Sequence, residues 1–283
     1  MIWKFRGRVI DLSKRAVILG IVNATPDSFS DGGEFLNPQA ACAHGLRLLD
    51  EGADILDVGG ESTRPGAATV STEEELHRVL PVITALRART TAPISIDTSK
   101  ADVAEAALSA GADIINDVTA LSGDSRMGEV TALSRAGLIL MHMHGTPQTM
   151  QQSPLYPQDD VVSEVAKFLS EGRGAAIGLG VDADSIILDP GLGFGKTVAH
   201  NLALIHHLPL LVGLGAPVMI GHSRKSFLGH FSGDDAGGVF GARDWAGVAV
   251  TCLAREFGAR LFRVHEPRPH NQALRMTEAI LDS

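Results

Sequence analysis

Glu51-Gly52-Ala53-Asp54-Ile55-Leu56-Asp57-Val58-Gly59-Gly60-Glu61 contains one full cycle of the pattern from which this chain is built. Gly52 stands where a helix C-terminus takes a left-handed residue. A short run of Ile, Leu and Val follows. It ends in Asp57 and then in Gly59-Gly60-Glu61. The same announcement returns at Ala110-Gly111-Ala112-Asp113 and at Phe257-Gly258-Ala259-Arg260, each time before another apolar run.

Working outward, such runs occupy residues 17–22, 55–58, 94–96, 113–115, 138–141, 186–188, 218–220 and 261–264. Helical periodicity fills residues 38–51, 72–89, 101–110, 126–136, 161–177, 201–212, 244–257 and 270–282. Apolar runs that do not alternate belong in a parallel sheet covered on both faces. Eight such units predict an α/β chain folded as a single (β/α)8 TIM barrel, with a doubly wound open sheet as the competing architecture. Residues 1–16 alternate loosely around Gly7 and Asp11, which predicts a short N-terminal β-hairpin over one end of the barrel. One domain over residues 1–283, hairpin 1–16 and barrel 17–283, suits the typical barrel length of about 250 residues.

Composition narrows the function. The chain is 45% hydrophobic and 20% charged, enough to bury a core. Its 24 Lys and Arg against 33 Asp and Glu leave a net charge of −9, which argues against nucleic acid or an acidic membrane as the partner. A basic pocket on such a protein can still take a small anion. Cys42 and Cys252 fall in helical patterns and read as buried reduced thiols. Met1-Ile2-Trp3-Lys4-Phe5-Arg6 lacks an apolar signal core, and no apolar run approaches the ~20 residues of a membrane helix, so a cytoplasmic location is expected.

Chemistry gathers where the apolar runs end. In order they deliver Asn23, Asp57, Asp97, Asn116-Asp117, His142, Asp189, Lys225 with its neighbours, and Arg263 with His265. The C-terminal face is the active-site face of a barrel, and burying carboxylates without partners is costly. Asp97, Asn116 and Asp189 suit a flat heterocycle rich in N–H groups. Lys225, Arg263 and His265, from the last two strands, suit a phosphate or diphosphate. Blander readings stand beside these. Asp57 can brace the barrel interior and Asp117 can cap the next segment. His206 and His207 read as surface residues, His142 and His144 as structural rather than metal-binding. Glu73-Glu74-Glu75 reads as a first helical turn favoured by the dipole. Gly191-Leu192-Gly193-Phe194-Gly195-Lys196-Thr197 imitates a nucleotide loop, but Pro190 and Lys196 stand where the two glycine-loop motifs need Gly. Its glycines instead predict close approach of backbone to a ligand beside Asp189.

Taken together, these segments resemble the dihydropteroate synthase family of pterin-binding enzymes. The resemblance rests on Asn23-Ala24-Thr25-Pro26-Asp27-Ser28-Phe29-Ser30-Asp31-Gly32-Gly33, on Gly59-Gly60-Glu61-Ser62-Thr63-Arg64-Pro65-Gly66, on Asp189 to Lys196, on Ser223-Arg224-Lys225-Ser226 and on Arg263-Val264-His265. It implies a transferase of folate biosynthesis, a family targeted by sulfonamides. Such an enzyme joins 6-hydroxymethyl-7,8-dihydropterin diphosphate to p-aminobenzoate with release of pyrophosphate. It implies that Asp97, Asn116, Asp189 and Lys225 hold the pterin between Met141 and Phe194, with Arg263 along its face. Asn23, Arg263 and His265 would hold the diphosphate with Mg²⁺, the metal on Asn23. Phe29, Asp31, Thr63, Arg64, Pro65 and Ser226 would shape the p-aminobenzoate slot from two lid loops. A homodimer is also implied. Two departures, Arg243-Asp244-Trp245 and Glu266-Pro267, bear on the slot's edge and the dimer surface. The competing readings are a corrinoid-type methyl-pterin barrel and a catalytically silent pterin-binding paralogue.

Overall fold

The computed structural model of the protein describes residues 1–25, 37–64, 66–151, 154–157, 160–232 and 241–283. Strands β1 (Ile2–Phe5) and β2 (Arg8–Asp11) pair antiparallel. Arg6 and Gly7 turn between them at φ of 44° and 78°. Two successive left-handed residues match the twist of a tight hairpin.

Eight parallel strands follow: β3 (Val17–Asn23), β4 (Ile55–Gly59), β5 (Ile94–Asp97), β6 (Ile114–Asp117), β7 (Gly137–Met141), β8 (Ile186–Asp189), β9 (Met219–Ile220) and β10 (Leu261–Val264). Their spatial order is β8-β7-β6-β5-β4-β3-β10-β9. A parallel bridge between Leu188 and Val218 brings the two edges together, and the Leu188 N–H donates to the Pro217 oxygen at 2.9 Å. The sheet is a barrel, not an open doubly wound layer.

Helices α1 (Pro38–Asp50), α2 (Thr72–Arg87), α3 (Ala101–Ala110), α4 (Met127–Ser134), α5 (Val161–Gly178), α6 (Val198–His206), α7 (Leu208–Val212), α8 (Ser226–Ser232), α9 (Ala242–Glu256) and α10 (Pro267–Leu281) fill the connections. Their ends follow local chemistry. The Asn37 side chain caps α1 by accepting from the Gln39 and Ala40 N–H groups, both at 3.0 Å. Gly52, Gly111 and Gly258 take φ of 101°, 115° and 104°, as their place before a strand predicts. The single helix expected over 201–212 is two, because Pro209 cannot donate within a helix and starts α7 instead. Helix α8 falls where the periodicity predicts none.

Two buried clusters set the site's position. One lies between the strands and the helices. The other fills the barrel with Leu19, Ile55, Ile114, Ile139, Ile187, Met219 and Leu261, and Trp3, Phe5 and Leu12 of the hairpin pack onto it. Trp3 is fully buried and its Nε1–H donates to the Ser185 oxygen at 2.8 Å. The hairpin thus seals the N-terminal end with apolar side chains, and polar side chains gather at the opposite end. Cys42 is buried and Cys252 half-buried; both are free thiols.

Candidate active site

Asp57, on β4, lies at the centre of the C-terminal end and is fully buried. Side chains of two other strands, β10 and β6, converge on it and on Asp97 of β5. The Arg263 Nε–H donates to Asp57 Oδ2 at 2.6 Å, and its Nη2–H donates to Asp97 Oδ2 at 2.6 Å. The Asn116 amide reaches the two Asp57 oxygens at 3.4 and 3.3 Å. Asp57 is therefore a brace, and what it braces is the site. Burial pushes the Asp97 carboxyl above its ordinary range; Arg263 opposes the shift and Asp57 adds to it. Burial works against the Arg263 charge too, but Asp57 and Asp97 outweigh it and hold the guanidinium above its usual value.

Asp189 and Lys225 form the second pole. Asp189 Oδ1 accepts from the Gly191 N–H at 2.7 Å, and burial pushes its carboxyl up against the pull of Lys225. The Lys225 ammonium donates to the Leu192 oxygen and lies 4.3 Å above the Phe194 ring. Burial lowers it to about 7, with Asp189 opposing and Arg263 adding. Between about 7 and the ordinary 10.5 the folded chain therefore binds fewer protons here than the unfolded chain does. The stability of the parent relative to a Lys225→Met variant should rise with pH across that window. Urea unfolding of both proteins at about pH 7 and about pH 9 tests this, and a difference that shrinks with pH refutes it.

The glycine loop packs tightly against its neighbour. Gly191, Gly193 and Gly195 take φ of 65°, 81° and 64°. A Cβ at Gly191 would lie 1.9 Å from the His142 oxygen, and one at Gly195 would lie 2.4 Å from the His144 oxygen. At these two positions the close approach is to the backbone of the neighbouring connection. Lys196 completes the seam: its Nζ donates to the Phe194 oxygen at 3.0 Å and bonds His142 Nδ1 at 2.9 Å. Burial, with Lys225 adding, drives Lys196 well below its usual value, and burial, with Lys196 and His144 adding, lowers His142 to about 2. His142 is thus tied into the loop seam, and among the described residues no three His, Cys, Asp or Glu gather to hold a metal.

His265 stands at the rim beyond β10. The Ser223 Oγ accepts from the His265 N–H at 3.3 Å and contacts His265 Nδ1 at 3.0 Å. The hydroxyl donates to Nδ1 or accepts from it according to which ring nitrogen carries the proton. Burial lowers the imidazole to about 3, and Arg224, Arg263, Arg64 and His44 push the same way. His265 is a neutral donor set among cations.

The remaining predicted residues are placed as follows. Asn23 ends β3 and is half-buried. Met141 ends β7 opposite Asp189. Thr63 borders a cleft of about 350 Å³ with Asp97, Val118, Met143 and Phe168. Arg64 is exposed, and so is Ser226 at the start of α8. Phe29, Asp31 and Pro65 lie outside the described residues. At the outer edge Arg224 pairs with Glu266 at 2.9 Å and Asp244 at 3.5 Å, so both unusual segments join one ion-pair group. Asp117 caps its own turn by accepting from Thr119 N at 2.8 Å and from Leu121 N at 2.6 Å. His206 and His207 are exposed.

One feature escapes the sequence reading. Glu75 lies in the first turn of α2, as the sequence predicts, but it is fully buried, and Lys100 bonds it at 2.5 Å. The signal was available: Glu75 shares the inward stripe of α2 with Val79, Val82, Ile83 and Leu86.

Comparisons with known proteins identify the family. Residues 19–265 match the family described as pterin binding enzyme. A dihydropteroate synthase of Synechocystis sp. is 43% identical over 272 residues, covering 96% of this chain and 92% of that relative. The chain belongs to the dihydropteroate synthases. Among solved structures, the Xanthomonas albilineans dihydropteroate synthase with 4-aminobenzoic acid is 46% identical with a TM-score of 0.91, covering 100% of this chain and 98% of that one. The enzyme of the same organism in complex with 7,8-dihydropteroate is 43% identical with a TM-score of 0.87, covering both chains fully, at 100% each. Family membership makes the protein a transferase that condenses the dihydropterin diphosphate with p-aminobenzoate. Among the described residues no helix is long and apolar enough to cross a membrane.

Proposed function

We propose that the rim runs this condensation by letting the C–O bond to diphosphate break before the arylamine attacks. The observation that carries the reading is the charge set at the C-terminal end of the barrel. Asp57, Asp97 and Asp189 face Arg263 and Lys225, three carboxylates against two cations. The surplus is one negative charge, set where a cationic pterin-methyl group would form. Asp97, Asn116 and Asp189 accept from and donate to the heterocycle, Lys225 donates to it, and Met141 and Phe194 bound its faces. Arg263 lies along the ring while its carboxylate partners hold it in place. As the bond breaks, its electron pair leaves with pyrophosphate, and the methylene carbon keeps a positive charge that Asp97 and Asp189 stabilise electrostatically. The amine nitrogen of p-aminobenzoate then bonds that carbon and loses a proton.

His265 and Arg263 serve the departing diphosphate. Mg²⁺ fits the residues present. The Asn23 amide offers one oxygen of the kind Mg²⁺ takes, and the cations near His265 oppose a bare metal, so most of its coordination would come from phosphate oxygens. When bound, the ion neutralises charge developing on the leaving group. Thr63, Arg64 and Ser226, with Phe29, Asp31 and Pro65, form the p-aminobenzoate slot. A homodimer in the cytoplasm is the assembly and setting this reading implies.

The test is pyrophosphate release by the purified protein, given the pterin diphosphate, Mg²⁺ and p-aminobenzoate, with each component omitted in turn. Release should depend on Mg²⁺ and match dihydropteroate one to one. A folded protein that binds pterin but releases nothing would overturn the catalytic reading in favour of a silent pterin binder.

A further inference from the structure

Glu61 opens the second rim loop and Val70 closes it, and one carboxylate joins the two. Glu61 Oε1 accepts from the Val70 N–H at 3.1 Å. Its Oε2 accepts from the Lys100 ammonium at 2.5 Å. Lys100 lies three residues beyond Asp97, the last residue of β5, and its own N–H donates to Thr98 Oγ1 at 3.2 Å. The same ammonium bonds Glu75 Oε2 on α2 at 2.5 Å. Arg78, also on α2, donates to the Gly60 oxygen at 2.9 Å. The far side of the loop is pinned as well: the Gly66 N–H donates to the Pro147 oxygen at 2.9 Å, and the Gln148 amide donates to the Ala67 oxygen at 3.0 Å.

We propose that Glu61 is a positioning residue for p-aminobenzoate, a staple that closes the foot of the loop and ties it to the strand end carrying Asp97, so that Thr63 and Arg64 are presented to the site. The inference rests on the reading above that the loop shapes the slot. Charge balance separates it from a purely structural ion pair. Glu75 is fully buried and Lys100 neutralises it, so the buried charge needs no second carboxylate. Glu61 is the surplus acid, and its other oxygen holds loop backbone.

Glu61→Gln tests the staple. The amide offers one oxygen where the carboxylate offered two, so one anchor is lost, while the Lys100–Glu75 pair stays balanced and the fold is kept. The KM for p-aminobenzoate should rise about tenfold or more, the scale of a charged hydrogen bond. The KM for the pterin diphosphate and the melting temperature should stay near the parent's. Amide exchange over residues 62–70 should quicken. Glu75→Gln makes the same charge change without touching the loop and should leave the p-aminobenzoate KM within about twofold. An unchanged KM in Glu61→Gln, or an equal rise in Glu75→Gln, overturns the staple. Thr63→Ala and Arg64→Ala, measured alongside, separate the two failures. If they raise the KM while Glu61→Gln does not, the staple alone is wrong. If none of the three raises it, the slot reading falls and the staple with it.

Discussion

Asp97→Asn should lower kcat/KM by about a thousandfold while leaving the protein folded, the scale seen when one preorganised electrostatic group is removed from an active site. The change keeps the shape of the side chain and one acceptor oxygen but removes its charge. In the folded protein Arg263 spans Asp57 and Asp97, each at 2.6 Å. With Asp97 neutral, the Arg263–Asp57 pair remains balanced, so no buried charge is stranded and the melting temperature should hold. What is lost is the negative surplus of the site. The ledger of three carboxylates against two cations becomes two against two, and a forming pterin-methyl cation loses one of the two carboxylates set to stabilise it. Pterin affinity should fall as well, since the amide replaces one acceptor oxygen with an NH2 group that opposes the N–H donors of the heterocycle. Steady-state kinetics and pterin binding, with unfolding curves as the control, check this. A kcat/KM within about tenfold of the parent's would remove Asp97 from the chemistry and leave it only a brace for Arg263.

How far the sequence reaches depends on whether a residue's role is local. Strand ends are local: an apolar run stops, and the next polar residue stands on the rim. Asp97, Asn116, Asp189 and Arg263 are legible in that way, and so are the glycines at 52, 111 and 258 that introduce strands. The hairpin is legible for the same reason, since its alternation lies within sixteen residues. Partnerships across the barrel are not. Arg263 and Asp57 are 206 positions apart, and no periodicity says that one guanidinium bridges two carboxylates there. The glycine loop shows the limit most plainly. Its composition announces close approach but not to what, and the neighbour is the His142 oxygen. Glu75 is intermediate, because its place on the inward stripe of α2 is written in the sequence, while Lys100, its partner, is supplied only by the fold.

Arg263→Ala should destabilise the protein by about 3–5 kcal/mol, the usual consequence of removing one member of a buried ion pair. That is a large share of the roughly 5–15 kcal/mol by which folded domains exceed their unfolded chains. The cause is electrostatic, not volumetric. Asp57 is fully buried and Asp97 nearly so, and the guanidinium is the cation that both contact. Without it the two carboxylates lose their shared cation, and Asp57 keeps only the neutral Asn116 amide. The pH dependence has a definite sign. Burial already raises Asp97 above its ordinary value, and Arg263 is the main opposing influence, so the variant's Asp97 rises further. A folded carboxyl that holds its proton more tightly than the unfolded one favours the folded state as pH falls. The deficit of Arg263→Ala should therefore narrow on going from about pH 8 to about pH 5, and adding Asp57→Asn should recover part of it at either pH. Urea unfolding of the single and double variants gives both answers. A deficit that ignores pH and is not relieved by Asp57→Asn would mean that the guanidinium acts by filling space, and that the charge set proposed to stabilise the pterin cation is not held together by this residue.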